Sequence, residues 1–133
     1  MNQSGAMACL VGGVSLIACA GAAGSANRIF SGIREAHEHY GYPGSYQYGV
    51  IVSDGLVVRA YANGDFGDIV KDGGKVVYYG LKSDAIRPAF RRNKELDQQL
   101  RFFIRSADGV EDMGLYRVDR FYDGKVKLVK VGT

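Results

Sequence analysis

Apolar and polar positions divide this chain into a smooth head and a patterned body. From Ala6 to Gly24 the residues are almost all apolar or small, whereas from Asn27 onward short apolar clusters alternate with turn-forming groups. Between Asn27 and Tyr40, the residues Ile29, Phe30, Ile33 and Ala36 fall loosely on one side of a helix. That spacing predicts a short helix, weakened by Gly32. Gly41-Tyr-Pro-Gly44 reads as a turn. Tyr46 to Ser53 and Leu56 to Tyr61 are rich in Val, Ile and Tyr, and Asp54-Gly55 between them predicts a hairpin. Asn63-Gly64 marks another turn, and Asp72-Gly73-Gly74 precedes a strand over Lys75 to Tyr79.

Pro88 to Leu100 predicts a helix, with Pro at its start and Leu96 and Leu100 four apart. A strand follows over Arg101 to Arg105, and Leu115 to Phe121 alternates at period two. Asp123-Gly124 turns the chain into Lys125 to Val131, which carries basic residues at alternate positions. Many short strands with close turns and one or two helices predict an α+β, mainly β fold: a small β-barrel with flanking helices.

The length of 133 residues fits one domain, and 47% hydrophobic with 23% charged residues is a globular balance. The net charge of +3 does not by itself point to a nucleic acid, but its distribution is uneven. No Lys, Arg, Asp or Glu precedes Arg28, so residues 1–27 form an apolar Gly/Ala-rich head and residues 28–133 the charged domain. The head has the length of a signal-peptide core, and Leu16-Ile-Ala-Cys19 reads like a lipoprotein cleavage box. It lacks the positive leader that export signals carry. The favoured reading is a strand-and-turn part of the fold, with no membrane partner, while export through residues 1–19 stays open. Cys9 and Cys19 read as small buried hydrophobes, and the absence of any CxxC spacing excludes a zinc ribbon. A reduced compartment follows, cytoplasmic or nucleoid/nuclear.

No catalytic constellation is visible, and no cofactor or metal is implied. His37 and His39 are the two histidines; they lack a third ligand and read as an exposed polar loop. Glu111-Asp112, beside a Gly two residues on, reads as a solvated loop. Basic residues cluster more usefully: Arg87 to Arg105 holds six against Glu95 and Asp97. Within it Arg87, Arg91, Arg92 and Lys94, next to Phe90, could hold phosphates, or could form a solubilising helix face. Nine Tyr and no Trp add a second hint. Phe66, Asp68, Tyr78 and Tyr79 combine aromatic faces with a carboxylate, a sensible nucleobase pocket. The alternative places those rings in the core or at the barrel rim.

The order of these pieces resembles that of the SRA (SET- and RING-associated, or YDG) domain, a PUA-like β-barrel that reads modified cytosine in DNA. Ser31-Gly-Ile-Arg-Glu-Ala-His37, Gly44-Ser-Tyr46 and Val50-Ile-Val-Ser53 are similar to its early segments. Phe66-Gly-Asp-Ile-Val-Lys-Asp-Gly73 followed by Tyr78-Tyr-Gly80 resembles its pocket core without a gap. Asn93-Lys-Glu-Leu96, Arg101 to Arg105, Gly114-Leu-Tyr-Arg-Val118 and Lys125-Val-Lys-Leu-Val129 follow in order, so the resemblance covers roughly residues 31–131.

It implies a non-catalytic module that flips a modified (methylated or hydroxymethylated) cytosine out of double-stranded DNA. Phe66 and Tyr78 would be the stacking rings, and the main chain near Tyr79 would read the base edge. The gapless match puts Ile69 where the family has its pocket Asp, with Asp68 one position away. A stretch from Leu81 to Arg92 replaces the family's Gly-rich loop, leaving Arg87, Phe90 or Arg91 to fill the vacated stack. A PUA-like RNA-binding or RNA-processing protein and an exported or lipid-anchored β-protein are the alternatives.

Overall fold

The computed structural model describes residues 27–43, 45–47, 49–62 and 68–133. Residues 1–26, with both cysteines and the export reading, and Phe66 lie outside the described residues. Among the described residues, nine strands and two helices follow one another as β1 (Ile29–Phe30), α1 (Ile33–Tyr40), β2 (Ser45–Gln47), β3 (Val50–Ser53), β4 (Leu56–Ala62), β5 (Ile69–Lys71), β6 (Val76–Gly80), α2 (Arg87–Glu95), β7 (Leu100–Ser106), β8 (Gly109–Tyr122) and β9 (Lys125–Gly132). They form one sheet in the order β2-β3-β4-β7-β8-β9-β6-β5, with β1 added beside β8. Of these strands only β4 and β7 run parallel; every other pair is antiparallel. The mainly β, α+β expectation holds. Among the described residues, however, the sheet is an open path from β2 to β5 and does not close into a barrel.

Three elements differ from their sequence reading, each for a physical reason. The helix expected over Asn27–Tyr40 begins only at Ile33, because Gly32 is extended (φ −167°) and Ile29 and Phe30 pair with Glu111 and Val110 instead. The strand expected over Tyr46–Ser53 is broken at Gly49 (φ +83°). A Cβ there would stand 3.0 Å from the Tyr61 carbonyl and 3.1 Å from the Tyr79 hydroxyl, so both backbone conformation and space require glycine. The second helix stops at Glu95, four residues after Arg91, rather than reaching Leu100. Leu96 is exposed, while Leu100 is buried at the start of β7.

Asn93 explains that stop. Its side chain accepts from the Val57 amide at 2.6 Å and donates to the Val57 carbonyl at 2.9 Å, docking α2 on the start of β4. Its carbonyl accepts from the Gln98 amide at 2.8 Å, which folds the chain back, and Asp97 takes the left-handed conformation (φ +52°). Behind Asn93, Phe90 packs on Tyr79 in a core that includes Val57, Val77, Phe102, Tyr116, Val126 and Leu128. The opposite face of β7 is covered too, since Phe103 packs with Phe30, Ala36 and Val110 beneath α1. A strand buried on both faces reads as a continuous apolar run, which is what Phe102-Phe103-Ile104 is.

The two loops expected to carry exposed polar groups are regular structure. His37 and His39 sit on α1, where two positions apart means about 200° apart around the axis, so they do not face a common metal. Burial, then Arg59, holds the His37 imidazole below its ordinary value, while His39 lies exposed beside Arg28. Among the described residues no three His, Cys, Asp or Glu converge on a metal position. Glu111 and Asp112 lie inside β8, and Asp112 is buried. Arg101 Nη1 donates to both of its carboxylate oxygens at 2.9 Å, Tyr40 Oη donates to Oδ2, and the Gly114 amide donates to Oδ1. Burial of this carboxylate is tolerable only because every one of those donors is in place. Among the described residues, no helix is long and apolar enough to cross a membrane.

Two substitutions check this architecture. Asn93→Ala leaves the Val57 N–H and C=O buried without partners and lowers stability by about 1–3 kcal/mol for each, read as a drop in the urea midpoint at unchanged slope. Asp112→Ala strands Arg101 and costs about 3–5 kcal/mol, and a double-mutant cycle with Arg101→Met returns a coupling energy well above that of an exposed pair.

Candidate nucleic-acid interface

The site begins at the turn between β5 and β6. Asp72, Gly73 and Gly74 all have positive φ (54°, 65° and 98°), which reverses the chain tightly. Gly74 is buried, its carbonyl accepts from the Tyr116 hydroxyl, and a Cβ on it would lie 2.6 Å from the Met113 methyl. This turn sets the register Ile69↔Tyr78, Val70↔Val77, Lys71↔Val76. Tyr78 in turn pairs with Lys127, and Lys127 with Arg120. Cross-strand partners share a face, so Ile69, Tyr78, Lys127 and Arg120 form one row across four strands.

That row lies on the face turned away from α2. Alternation along β6 sends Tyr79 into the core, fully buried between Phe90 and Phe102, and Tyr78 outward. The Tyr78 ring is 5.8 Å from that of Tyr122, and the Lys71 ammonium lies 5.4 Å from its centroid.

Asp68 turns to the Tyr79 side. Its Oδ1 accepts from the Gly80 amide at 2.6 Å, and its Oδ2 is 3.5 Å from the Lys82 ammonium. Lys82 also stands 4.2 Å from the centroid of the Tyr79 ring. Both side chains are almost wholly enclosed, at 3% and 8% exposure. Burial pushes the Asp68 carboxyl above its ordinary value, against the lowering pull of the Gly80 N–H and of Lys82. Ile69 is the residue beside Tyr78, 42% exposed, and the register does not slip to bring Asp68 there. Asp68 is therefore a clamp on the end of β6, and no carboxylate neighbours Tyr78 across this register.

The four basic residues read as phosphate contacts all lie in α2 but do not point together. Arg87 reaches back to the Tyr122 carbonyl at 3.4 Å, and the Arg87 and Arg91 guanidinium carbons each lie 5.8 Å from the Phe121 ring centroid. Arg91 and Lys94 share a depression of about 530 Å³ with Glu95, Asp119, Arg120 and Phe121. Arg92 instead lies over the Asp54-Gly55 hairpin, its Cδ 3.3 Å from where a Gly55 Cβ would be. Phe90 is completely buried, so it does not serve as a plug for a duplex. Arg120, Tyr122 and Lys127 are the residues that sequence reasoning missed. The signal available for Lys127 was the alternation of basic residues along Lys125–Val131.

This arrangement, an open mixed sheet with one helix on each side and a single parallel pair among the described strands, is an SRA-like fold. Among solved structures the chain is similar to the SRA domain of SUVH5 in several complexes. With hemi-methylated CG DNA the TM-score is 0.61 at 16% identity, covering 74% of this chain and 82% of that one. With fully methylated CG DNA it is 0.61 at 17% identity, covering 79% and 87%, and with methylated CHH DNA 0.55 at 17%, covering 74% and 83%. No family model and no curated protein sequence matches the chain.

The buried Asp68 gives a pH signature. With the folded value above the ordinary 3.8, the folded state takes up the proton first. Its contribution is complete in acid and is lost as pH rises from about that ordinary value through the folded one. Relative to Asp68→Asn, the wild type declines in stability over that rise and then levels, as urea titrations between pH 3 and 7 will record.

Proposed function

We propose that this chain is a non-catalytic DNA-binding module that recognises a modified cytosine, methylated or hydroxymethylated, flipped from a duplex. The observation that carries the reading is the SRA-like fold, matched over 74–79% of the chain to domains bound to methylated DNA. Tyr78 supplies one stacking ring, and Phe66 the other. Ile69 beside Tyr78 offers an apolar contact of the kind that suits a pyrimidine 5-methyl group. With Asp68 committed to Gly80 and Lys82, hydrogen bonds to the base edge fall to the main chain near Tyr79. Arg87, Arg91 and Lys94 hold the phosphate backbone, and Arg92 contributes charge from the side of α2 that lies over the Asp54-Gly55 hairpin.

Fluorescence polarisation with matched duplexes carrying cytosine, 5-methylcytosine or 5-hydroxymethylcytosine, each across a salt series, tests this. Tighter binding to a modified duplex is expected, weakening with salt. Tyr78→Ala and Phe66→Ala each reduce the affinity about tenfold or more, as loss of one stacked ring does. Negligible, salt-insensitive binding to every duplex sinks the reading, and a preference for structured RNA selects the RNA-binding alternative.

A further inference from the structure

We infer that the outer face of β5, β6, β9 and β8 is a platform for an unpaired nucleic-acid strand. It extends beyond the base pocket and tolerates any base. The face carries Lys71, Lys125, Lys127, Arg117 and Arg120 around the two rings, with Asp119 beside them and Asp112 farther along β8, buried and held by Arg101 and Tyr40. Asp119 is occupied at 3.5 Å by Lys127 and at 4.0 Å by Arg117, so the net charge is strongly positive. Such a field suits a polyanion.

Two rings stand among these cations. Tyr78 and Tyr122 lie edge-tilted at 56°, with Tyr122 41% exposed, and Lys71 is poised over the first ring. Aromatic side chains interleaved with cations on an open sheet are the requirement for stacking bases while tracking phosphates. Among the described residues α2 packs on the opposite side through Phe90 and Asn93, and α1 covers this side at Phe103, Val110 and Asp112, at the other end of β8 from Tyr122.

Base tolerance follows from what surrounds the rings. The described cross-strand and ring neighbours of Tyr78 and Tyr122 are Ile69, Lys71, Lys125 and Lys127, none of which carries a side-chain amide or carboxylate to match a base edge. A bulge at Asp119 turns both it and Arg120 outward, and Arg120 then lines the same depression as Arg91 and Lys94. The surface therefore continues past the hairpin end of β8 onto α2, where Arg91, Lys94 and Arg120 outnumber Glu95 and Asp119 around the depression. Tyr78 is shared with the pocket of the proposed function, while Tyr122, Lys127 and Arg120 belong to this platform alone.

The test uses the full chain and labelled single-stranded DNA and RNA of two unrelated base compositions, beside the modified and unmodified duplexes. Salt-dependent binding of single strands with little dependence on composition is expected, and the tighter of the DNA and RNA arms identifies the natural strand. Tyr122→Ala weakens single-strand binding about tenfold, and Tyr122→Phe, which keeps the ring, restores it. The Arg120→Glu, Lys127→Glu pair lowers affinity and flattens the salt slope by roughly 0.7 for each phosphate no longer neutralised. Single-strand binding untouched by these variants, or undetectable, overturns the platform even where duplex discrimination persists. Loss of duplex discrimination with single-strand binding intact overturns the pocket reading and leaves the platform standing.

Discussion

β4 and β7 lie side by side and run in the same direction, Arg59 to Ala62 against Arg101 to Ile104, and the rest of the architecture hangs on that pairing. Antiparallel neighbours can be joined by a tight turn, but a parallel pair needs a crossover. Here the crossover is residues 63–99, and it contains β5, β6 and α2. Asn93 ties it down by hydrogen-bonding both main-chain groups of Val57, two residues before the pairing begins at Arg59. β7 then becomes the strand with cover on both faces, Phe102 under α2 and Phe103 under α1.

The crossover does not rejoin the sheet where it left. β6 attaches to β9, at the far side of the β8–β9 hairpin, and brings β5 with it as the edge strand. The outer face is consequently assembled from residues 69–80 and 117–127, two segments far apart in the chain. One residue of register decides its chemistry. With Ile69 opposite Tyr78, an apolar side chain stands next to the ring. With Asp68 one residue earlier, its carboxylate meets the Gly80 amide and Lys82 on the inner side. A buried carboxylate with those partners serves position more than recognition, because releasing it would strand Lys82 in an enclosed site.

Much of the fold was legible. Period-two alternation and the Asp-Gly turns located β4, β6, β7, β9 and the second half of β8 to within a few residues, and Pro88 located the start of α2. The extent of α2 was not legible, because Leu96 and Leu100 mimic a helical spacing that only Asn93 and Gln98 interrupt. Nor was the burial of Asp112, whose identity alone suggests solvent. Its partners Arg101 and Tyr40 come from other elements, 11 and 72 residues away.

By itself, then, the sequence determined which residues form strands and turns, and that Tyr78 and Tyr79 stand on opposite faces of one of them. Those are local consequences of side-chain period and backbone conformation. Tertiary structure alone decided which face is the inside and which carboxylates are consumed by partners. It also decided that Tyr122, Lys127 and Arg120 stand beside Tyr78. The reason is that strand order and register arise from long-range pairing, and in this chain the pairing that builds the site runs through a crossover that no short window of residues encodes.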